Sequence, residues 1–335
     1  MSRRKIEFPP KKKKALIYGG YGTGNIGDEA ILSGLLKTIS YDEIIVFSSN
    51  PHETAALHKV RAEKTNIKPF LLCDDLIIGG GELFQDGMAW KFSLATILAK
   101  IIAKNVRVVG VGVDVSNPIE KVLTSLSLEF ADEISVRDKR SFKNLVSMGL
   151  NPNKIKLVKD FVFYLKPEQL EPTDETRFFL EKNGLLSNKF VAIFLRSKNP
   201  ETDKRILSFF KKMITNLTQS NPSLRILLVP LSKHPNSLRD DDRIIIQRLK
   251  DKVESNSLIV FDKQLDPSSL LYLISKADLV ISTRLHPLIF SEITNTKAIA
   301  IPLFPKIRSF AKKQGHPIVE TENLEKLYAM LDRLK

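Results

Sequence analysis

Short runs of β-branched and other apolar residues alternate with segments of helical periodicity along the chain. This alternation is typical of parallel sheets whose strands are joined by helices, and it predicts an α/β fold. The first series of predicted strands is Ala15–Tyr18, Glu43–Phe47, Asp75–Ile78, Val106–Val113, Glu133–Val136 and Ile155–Val158. The helices predicted among them include Asp28–Ile39, Trp90–Lys104 and Lys139–Met148.

A second series begins after residues 166–188, where the alternation of apolar runs and helical segments becomes irregular and a linker is expected. Its predicted strands are Phe190–Leu195, Arg225–Pro230, Leu258–Phe261, Leu279–Ser282 and Ala298–Ile301. Its predicted helices are Asp203–Thr218, Asp241–Lys250, Pro267–Ser275, Pro287–Thr294 and Glu322–Leu334. A length of 335 residues also favours two domains. The expected organisation is an N-terminal Rossmann-like domain at 1–165 with a basic tail at 1–14, a C-terminal Rossmann-like domain at 189–320, and a final helix at 321–335.

Two doubly wound domains of similar size predict a cleft between them, and the carboxyl ends of parallel strands are where such sheets bind ligands. The formal net charge of +14 suits an anionic substrate, anionic lipid headgroups or nucleic acid. No basic motif with interleaved aromatic residues accompanies the charge, so we expect no nucleic-acid partner. Lys11–Lys14 is a basic run that suits peripheral contact with an anionic membrane; a free tail is the alternative.

The single cysteine, Cys73, excludes an internal disulfide and a cysteine-based zinc site. The basic amino end lacks the apolar region of a secretion signal, and no apolar run approaches the roughly 20 residues of a spanning helix. These features predict a cytoplasmic protein, with the inner membrane face as the place of any peripheral contact. The sequence also lacks zinc and calcium motifs, so we expect no metal site.

A glycine-rich loop follows the first predicted strand and contains Gly22-x-Gly24-x-x-Gly27. A dinucleotide fingerprint has this context, but Asp28 and Glu29 would repel a pyrophosphate at the helix start. The acid expected about 20 residues further on is also missing. The loop therefore predicts a site for polar hydroxyls with Asn25 and Asp28 as ligands; the alternative is that Asp28 only caps the helix.

Acidic and basic residues follow two further strands of the first series. Glu82 and Asp86 come directly after the Gly79–Gly81 run, where a carboxylate can act as a general base; solvated acids in an exposed loop are the alternative. Arg137 ends another strand and either faces the cleft or is structural, whereas Asp138 is expected to cap the next helix.

The strand that ends at Ser282 leads into Arg284, His286 and Pro287. A guanidinium next to an imidazole and a helix amino end forms an anion site with a proton donor beside it, and Pro287 is expected at the first position of the helix. Arg196 and Lys306 also follow strands of the second series, so with Arg284 they predict a three-cation cradle for a small, highly charged anion. His234 follows another strand and is a further candidate.

Four segments together resemble the polysaccharide pyruvyltransferase family, namely Gly19–Leu32, Leu76–Asp86, Ile134–Gly149 and Ile281–Ile293. The resemblance implies a GT-B-like pair of Rossmann-like domains. It also implies transfer of the enolpyruvyl group of phosphoenolpyruvate to two hydroxyls of a sugar, which forms a pyruvate ketal, releases phosphate and needs no cofactor. The chain departs from the family pattern at Asp114 and Phe161, on the acceptor side.

By position, the resemblance associates Arg284, His286, Lys306 and Arg196 with phosphoenolpyruvate, and Asn25, Asp28 and Asp86 with the acceptor side. We expect His286 to protonate the donor and Asp86 to act as base, with Asp28 or Glu82 as the next choices. The expected partners are phosphoenolpyruvate and a glycan or lipid-linked saccharide used in cell-wall polysaccharide biosynthesis. Two alternatives remain, a GT-B nucleotide-sugar glycosyltransferase, in which Asp262 would hold a ribose, and a non-catalytic sugar- or anion-binding homologue.

Overall fold

The computed structural model describes residues 13–166, 168, 171–234, 237–238 and 240–332, with side chains to residue 330. The chain forms two compact units. One contains the described residues up to Gly22 together with Gly34–Phe161, and the other contains Thr23–Ser33 together with the chain from Val162 onward. Residues 1–12 of the predicted basic tail, including Lys11 and Lys12, lie outside the described residues.

The first unit is built on a parallel sheet of seven strands within the described residues, in the order β3-β2-β1-β4-β6-β8-β9, with a separate β5-β7 pair. The central strand β4 is buried along its whole length, and between Asp75 and Gly79 it has the apolar residues 76–78 that a strand covered on both faces needs. The strands are β1 (Lys14–Tyr18), β2 (Glu43–Phe47), β3 (Arg61–Glu63), β4 (Asp75–Gly79), β5 (Phe84–Gln85), β6 (Asn105–Val111), β7 (Val113–Asp114), β8 (Glu133–Val136) and β9 (Ile155–Leu157).

Helices connect successive strands of this sheet, and polar side chains begin several of them. Asn117 caps α5 by accepting hydrogen bonds from two backbone N–H groups, and Asp138 caps α6, as the sequence predicts. The helices are α1 (Ile26–Leu36), α2 (Pro51–His58), α3 (Ile67–Leu72), α4 (Ala89–Ile101), α5 (Pro118–Glu129) and α6 (Lys139–Ser147), with a 3-10 turn at Pro152–Lys154. Helix α1 and a second 3-10 turn at Phe161–Tyr164 run from one unit into the other.

The second unit is built on a parallel sheet whose order is β12-β11-β10-β13-β14 among the residues that the structure describes. Its strands are β10 (Phe190–Phe194), β11 (Arg225–Leu228), β12 (Leu258–Val260), β13 (Leu279–Ser282) and β14 (Ala298–Ala300). Its helices are α7 (Asp174–Lys182), α8 (Pro200–Ser220), α9 (Asp242–Lys250), α10 (Pro267–Lys276), α11 (Leu285–Thr294), α12 (Pro305–Gln314) and α13 (Leu324–Asp332). Strands β10 and β13 are buried throughout, so the core of this unit lies on both faces of the sheet centre.

The structure differs from the predicted elements at three places that affect the candidate site. Helix α11 begins at Leu285, so Pro287 is its third residue; proline fits there because first-turn N–H groups have no intrahelical acceptor. Residues 166–188, expected as a linker, contain helix α7. Residues 23–33 group with the second unit, although the sequence-based division places them in the first domain.

Among the described residues, no helix is both long enough and apolar enough to cross a bilayer.

Candidate functional site

The segment between β13 and α11 is held by a set of short polar contacts at the carboxyl end of the sheet. The backbone N–H of Arg284 donates to Ser282 Oγ at 2.9 Å, and this hydroxyl donates to the Arg284 carbonyl at 2.8 Å. Thr283 Oγ1 accepts a hydrogen bond from the Arg196 backbone N–H at 2.8 Å. Hydrogen bonds therefore connect the ends of β10 and β13. They fix the backbone positions of Arg196 and Arg284, where the chain leaves the sheet.

Arg284 is buried rather than exposed on the sheet edge, with 7% of its surface accessible. Its guanidinium forms an ion pair through Nη1 with Oδ1 of Asp242, the first residue of α9. Burial has the largest effect on the pKa of Arg284 and lowers it, as does the neighbouring charge of Arg196. The carboxylates of Asp242 and Asp28 raise this pKa, but the net shift is downward. Arginine keeps its proton at neutral pH in spite of such shifts. Arg196 and Asp28 thus lie within electrostatic range of the buried guanidinium.

Asp242 also binds the chain that follows β11. Its Oδ2 accepts hydrogen bonds from the backbone N–H groups of Leu231 and Ser232 at 3.0 and 2.9 Å. Burial raises the pKa of Asp242, and it outweighs the opposite effects of Arg284 and the two N–H groups. One carboxylate therefore connects α9, the segment after β11 and the guanidinium of Arg284.

The glycine-rich loop joins this cluster through its backbone. Ile26 N–H donates to the Leu231 carbonyl at 3.0 Å, and Lys233 N–H donates to the Gly24 carbonyl at 3.0 Å. Asn25, which lies between these two hydrogen bonds, forms an antiparallel bridge with Ser232. The loop thus pairs with the segment that Asp242 holds.

The polar side chains of the loop are ordered by a local hydrogen-bond pair. Asn25 Nδ2 donates to Asp28 Oδ2 at 2.7 Å, and Asn25 Oδ1 accepts from the backbone N–H of Gly27 at 3.1 Å. Asp28 is the third residue of α1, so its carboxylate lies in the first turn, where negative charge is stabilised by the helix. The loop therefore presents one fixed carboxylate near Arg284.

His286 packs directly against this loop. A Cβ atom built on Gly27 would lie 2.0 Å from His286 Nδ1, so only a glycine leaves room for the imidazole. His286 is the second residue of α11, and its Nε2 is buried. The structure thus brings together four of the predicted residues, Asn25, Asp28, Arg284 and His286.

Three cationic side chains surround the ring of Phe304, the residue before α12. Arg196 Cζ lies 5.2 Å from the ring centroid, Lys198 Nζ lies 5.3 Å from it and Lys306 Nζ lies 6.0 Å from it. Lys198 Nζ also donates to the Leu303 carbonyl at 2.9 Å. Arg196 and Lys306 of the predicted cradle are thus gathered on one aromatic ring, together with a lysine that the sequence did not indicate.

Asp240 partly neutralises this cationic group. Its Oδ1 accepts from Arg196 Nη2 at 3.0 Å, and its Oδ2 accepts from Ser237 Oγ at 2.8 Å. Burial raises the pKa of Asp240, but Ser237, Arg196 and His234 lower it, and the net shift is downward. The influence of His234 on this carboxylate places that predicted residue close to the cationic group as well.

The first unit holds the remaining candidates, which make two sets of contacts. The side chain of Arg137 is buried, with 6% of its surface exposed, and pairs through Nη1 with Asp160 Oδ2 at 3.0 Å. Burial lowers the pKa of Arg137, but the carboxylates of Asp160, Glu82 and Asp138 raise it above its ordinary value. Glu82 and Arg137 are therefore neighbours, and Arg137 is the cation of a mostly acidic cluster.

Asp86 is exposed and contacts the start of α5. It accepts hydrogen bonds from the backbone N–H groups of Ser116 and Asn117 at 2.8 and 2.9 Å, and from the Ser116 hydroxyl. The Asn117 N–H is the main cause of a lowered pKa for Asp86. These contacts are those of a carboxylate that fixes a helix start.

Sequence reasoning missed Asp242, Asp240, Lys198 and Phe304. The Asp240–Asp242 run at the start of a helix is a recognisable signal for a capping carboxylate, but nothing in it indicates a partner far along the chain. Among the described residues, no group of histidine, cysteine or acidic side chains is arranged to hold a metal ion.

Comparison with known proteins places these residues in a family. The sequence model of polysaccharide pyruvyl transferases matches residues 25–303, which include all of the predicted site residues except Lys306. The chain belongs to the polysaccharide pyruvyl transferase family. No curated protein sequence matches it.

Solved structures show that this pyruvyl transferase family member has a GT-B-like fold of two Rossmann-like domains, as the sequence predicts. UDP-GlcNAc 2-epimerase from Neisseria meningitidis, bound to UDP-GlcNAc, is 15% identical, with a TM-score of 0.61 over 96% of this chain and 91% of that one. The Methanocaldococcus jannaschii UDP-GlcNAc 2-epimerase is 16% identical, with a TM-score of 0.66 over 96% and 92%. Anabaena HepE in complex with UDP-glucose is 11% identical, with a TM-score of 0.63 over 96% and 89%.

Replacing Gly27→Ala tests whether the loop of this pyruvyl transferase homologue positions His286. The new Cβ would overlap Nδ1, so we expect the ring to move and its imidazole NMR resonances to shift, with a loss of about 1–3 kcal/mol in the free energy of unfolding from overpacking. Gly149→Ala is the control for loss of stability alone, because its Cβ meets nothing within 4 Å but strains a backbone with φ of +94°; it should leave the His286 resonances unchanged. Unchanged His286 resonances in the Gly27→Ala protein would contradict the packing described above.

Proposed function

We propose that this protein transfers the enolpyruvyl group of phosphoenolpyruvate to two hydroxyls of a saccharide, forming a pyruvate ketal and releasing phosphate. The observation that carries the proposal is the cationic group on Phe304 within the same unit as the Arg284–Asp242 pair and His286. Phosphoenolpyruvate carries a carboxylate and a phosphate on three carbons, so its binding site requires several cations at short range. Membership of the family supports the same reaction class.

In this proposal Arg196 and Lys306 bind the phosphate and carboxylate of the donor. Both are partly accessible, whereas Arg284 is buried and acts mainly through its charge and by fixing the segment that leads to His286. The amino end of α11 adds partial positive charge at the same place. His234, close to Asp240, would lie at the edge of the donor site.

The proton chemistry follows from the positions of His286 and Asp28. His286 would donate a proton to the methylene carbon of phosphoenolpyruvate, so that the neighbouring carbon becomes electrophilic. A first saccharide hydroxyl adds to that carbon, the bond to the phosphate oxygen breaks, and a second hydroxyl closes the ketal ring. The two hydroxyl protons balance the proton delivered to carbon and the proton taken up by phosphate, and His286 is reprotonated for the next turnover.

We choose Asp28 as the base, ahead of Asp86. Asp28 is positioned by Asn25 and lies within electrostatic range of Arg284, in the same unit as His286. Asp86 has a lowered pKa and accepts three hydrogen bonds at the start of α5, so it is a weaker base and is already engaged. Glu82, next to Arg137, is proposed to contact the saccharide, with Arg137 as its positioning residue.

The proposed acceptor is a glycan or a lipid-linked saccharide of cell-wall polysaccharide synthesis, and the proposed location is the cytoplasm. The lone cysteine, Cys73, can form no internal disulfide, and this fits a reducing compartment. The donor supplies the reacting group itself, so the mechanism uses no cofactor.

A nucleotide-sugar reaction is the second candidate, because two of the structural relatives are described in complex with UDP-GlcNAc and UDP-glucose. Asp262, the residue considered for ribose binding, has 67% of its side chain exposed and lies 3.6 Å from Lys263 Nζ. It is accessible to a nucleotide, but it is not part of the cationic group.

The decisive experiment incubates the protein with phosphoenolpyruvate and a panel of saccharides. We expect release of inorganic phosphate together with a saccharide whose mass has increased by one pyruvyl ketal. Release of a nucleoside diphosphate from a nucleotide sugar, without phosphate release from phosphoenolpyruvate, would support the second candidate instead. Binding of phosphoenolpyruvate with no product on any acceptor would indicate a non-catalytic homologue.

Replacing His286→Ala should lower kcat by about 10²–10⁴-fold, which is the usual contribution of a general acid, while the unfolding transition changes little. The measurement is the rate of phosphate release under donor and acceptor saturation. His52→Ala is the control, since His52 is exposed in the other unit. Near-normal turnover of the His286→Ala protein would remove the imidazole from the mechanism.

Replacing Lys306→Gln should raise KM for phosphoenolpyruvate by about 10–100-fold, because a hydrogen bond to a charged group contributes roughly 1.5–3 kcal/mol. Lys312→Gln removes the same charge from an exposed position of the same helix α12 and should leave KM near the wild-type value. An equal effect of both substitutions would show that only the overall charge of the protein matters, and not the group on Phe304.

A further inference from the structure

Helix α4 of the first unit exposes most of its large apolar side chains, and most of the side chains that it buries are small or polar. Trp90, Leu94, Leu98 and Ile101 have accessible fractions of 45%, 44%, 45% and 73%. The buried residues of the helix are, apart from Phe92, small or hydroxylated, namely Ala89, Ser93, Thr96 and Ala99. In a helix that packs only against its own sheet, the apolar stripe faces the core. The apolar stripe on the outer face of α4 therefore requires another explanation.

Helix α5 has the same inverted distribution. Ile119, Val122, Leu126 and Phe130, which follows its last residue, have accessible fractions of 79%, 69%, 52% and 53%. The buried residues of α5 are Thr124, Ser127 and Leu128. Two successive helices thus direct their large apolar side chains to the outside.

These two helices are neighbours on one face of the sheet. Ser93 Oγ lies 3.5 Å from Thr124 Oγ1, and Lys100 Nζ lies 2.8 Å from the Asp132 carboxylate near their carboxyl ends. Because β4, β6 and β8 are adjacent parallel strands, their right-handed crossovers place both helices on the same side. We call the outer surface that they form together the α4–α5 face; it consists of Trp90, Leu94, Leu98, Ile101, Ile119, Val122, Leu126 and Phe130.

Helix α3 continues this apolar surface toward the end of the sheet where strands β4 and β6 begin. Its residues Ile67, Leu71 and Leu72 are 65%, 51% and 60% accessible. Lys104, just beyond α4, donates from Nζ to the Leu71 carbonyl at 2.8 Å. The end of α4 and the end of α3 are therefore held together at this end of the sheet.

Positive charge accompanies the apolar surface. Neither α3 nor α4 contains an acidic residue, α5 contains Glu120 and Glu129, and exposed lysines lie on all three helices, namely Lys68, Lys91 and Lys121. The Lys14 N–H donates to Asp74 Oδ2 at 2.9 Å, directly after α3, so the basic amino end of the chain enters the unit at the same end of the sheet. That amino end has the further basic residues Arg3, Arg4, Lys5, Lys11, Lys12 and Lys13 against the single acid Glu7.

We propose that the α4–α5 face and α3 bind the surface of a lipid bilayer that contains anionic lipids. Apolar side chains with a tryptophan and flanking lysines are what an interfacial contact requires, since the apolar groups enter the headgroup boundary and the lysines bind lipid phosphates. An exposed contiguous apolar surface of this kind marks an interaction site. A second copy of the chain is disfavoured as the occupant, because a two-fold interface would bring the same lysines of a protein with charge +14 together.

Co-sedimentation of the full chain with empty vesicles tests this proposal, without donor or saccharide, so the result is independent of the proposed reaction. We expect binding to vesicles of phosphatidylcholine with phosphatidylglycerol, and at least about tenfold weaker partitioning to phosphatidylcholine alone. The double variant Leu98→Gln/Leu126→Gln should lower the partition coefficient on the mixed vesicles by about tenfold or more. Lys91→Gln/Lys121→Gln should lower binding to the mixed vesicles and leave binding to neutral vesicles unchanged.

Phe178→Gln is the matched control, because Phe178 is 63% exposed on α7, outside the proposed surface. It should bind vesicles as the unchanged protein does, and all variants should keep the same unfolding midpoint because the replaced side chains are exposed. Two results would overturn the proposal. One is equal vesicle binding by the Leu98→Gln/Leu126→Gln and unchanged proteins; the other is a dimer in analytical ultracentrifugation that this double variant converts to a monomer.

Discussion

The buried ion pair between Arg284 and Asp242 is the interaction on which the arrangement of the second unit depends. Both side chains are removed from water, which costs several kcal/mol per ion, and only a pair with further hydrogen bonds offsets such a cost. Asp242 meets this condition because its other oxygen accepts two backbone hydrogen bonds. Loss of one partner leaves an uncompensated buried charge, and such losses typically cost about 3–5 kcal/mol.

This pair explains why a loop near the amino end belongs to the second unit. Asp242 fixes the segment at Leu231 and Ser232, and that segment pairs with the backbone from Gly24 to Ile26. The loop in turn places Gly27 against the ring of His286, with no room for a side chain between them. The relative positions of the carboxylate of Asp28 and the imidazole thus follow from one buried charge pair and a short backbone pairing.

The sequence predicted what depends on local pattern. Fully buried strands such as β10 and β13 are continuous apolar runs, and their predicted bounds agree with the structure to within one residue. Asp138 as a helix cap was also predictable, since the donor it binds is three residues away. The pairing of Asp242 with Arg284 was not, because the two lie far apart in sequence and each resembles an ordinary helix-terminal charge.

Asp86 is a second residue whose contacts could not be predicted from local sequence pattern. Its position after a glycine run at a strand end favours a catalytic interpretation, yet in the structure it binds the N–H groups at the start of α5. Helix α5 was not among the elements predicted by name, so the sequence offered no alternative partner for this carboxylate. Likewise, the periodicity of α4 predicts a helix correctly, but periodicity does not show which face of a helix is turned to the sheet.

The cationic group on Phe304 places three positive charges within 6.0 Å of one ring centroid. Two unit charges about 11 Å apart, the widest separation that these centroid distances permit, repel by roughly 1.5 kcal/mol at an effective dielectric constant of 20. A cation over an aromatic ring gains only about 0.5–1 kcal/mol at an exposed site, so the ring alone does not offset the mutual repulsion of Arg196, Lys198 and Lys306. Asp240 pairs with Arg196, one of the three cations. A dianionic donor, as in the proposed function, would reduce the mutual repulsion of these cations.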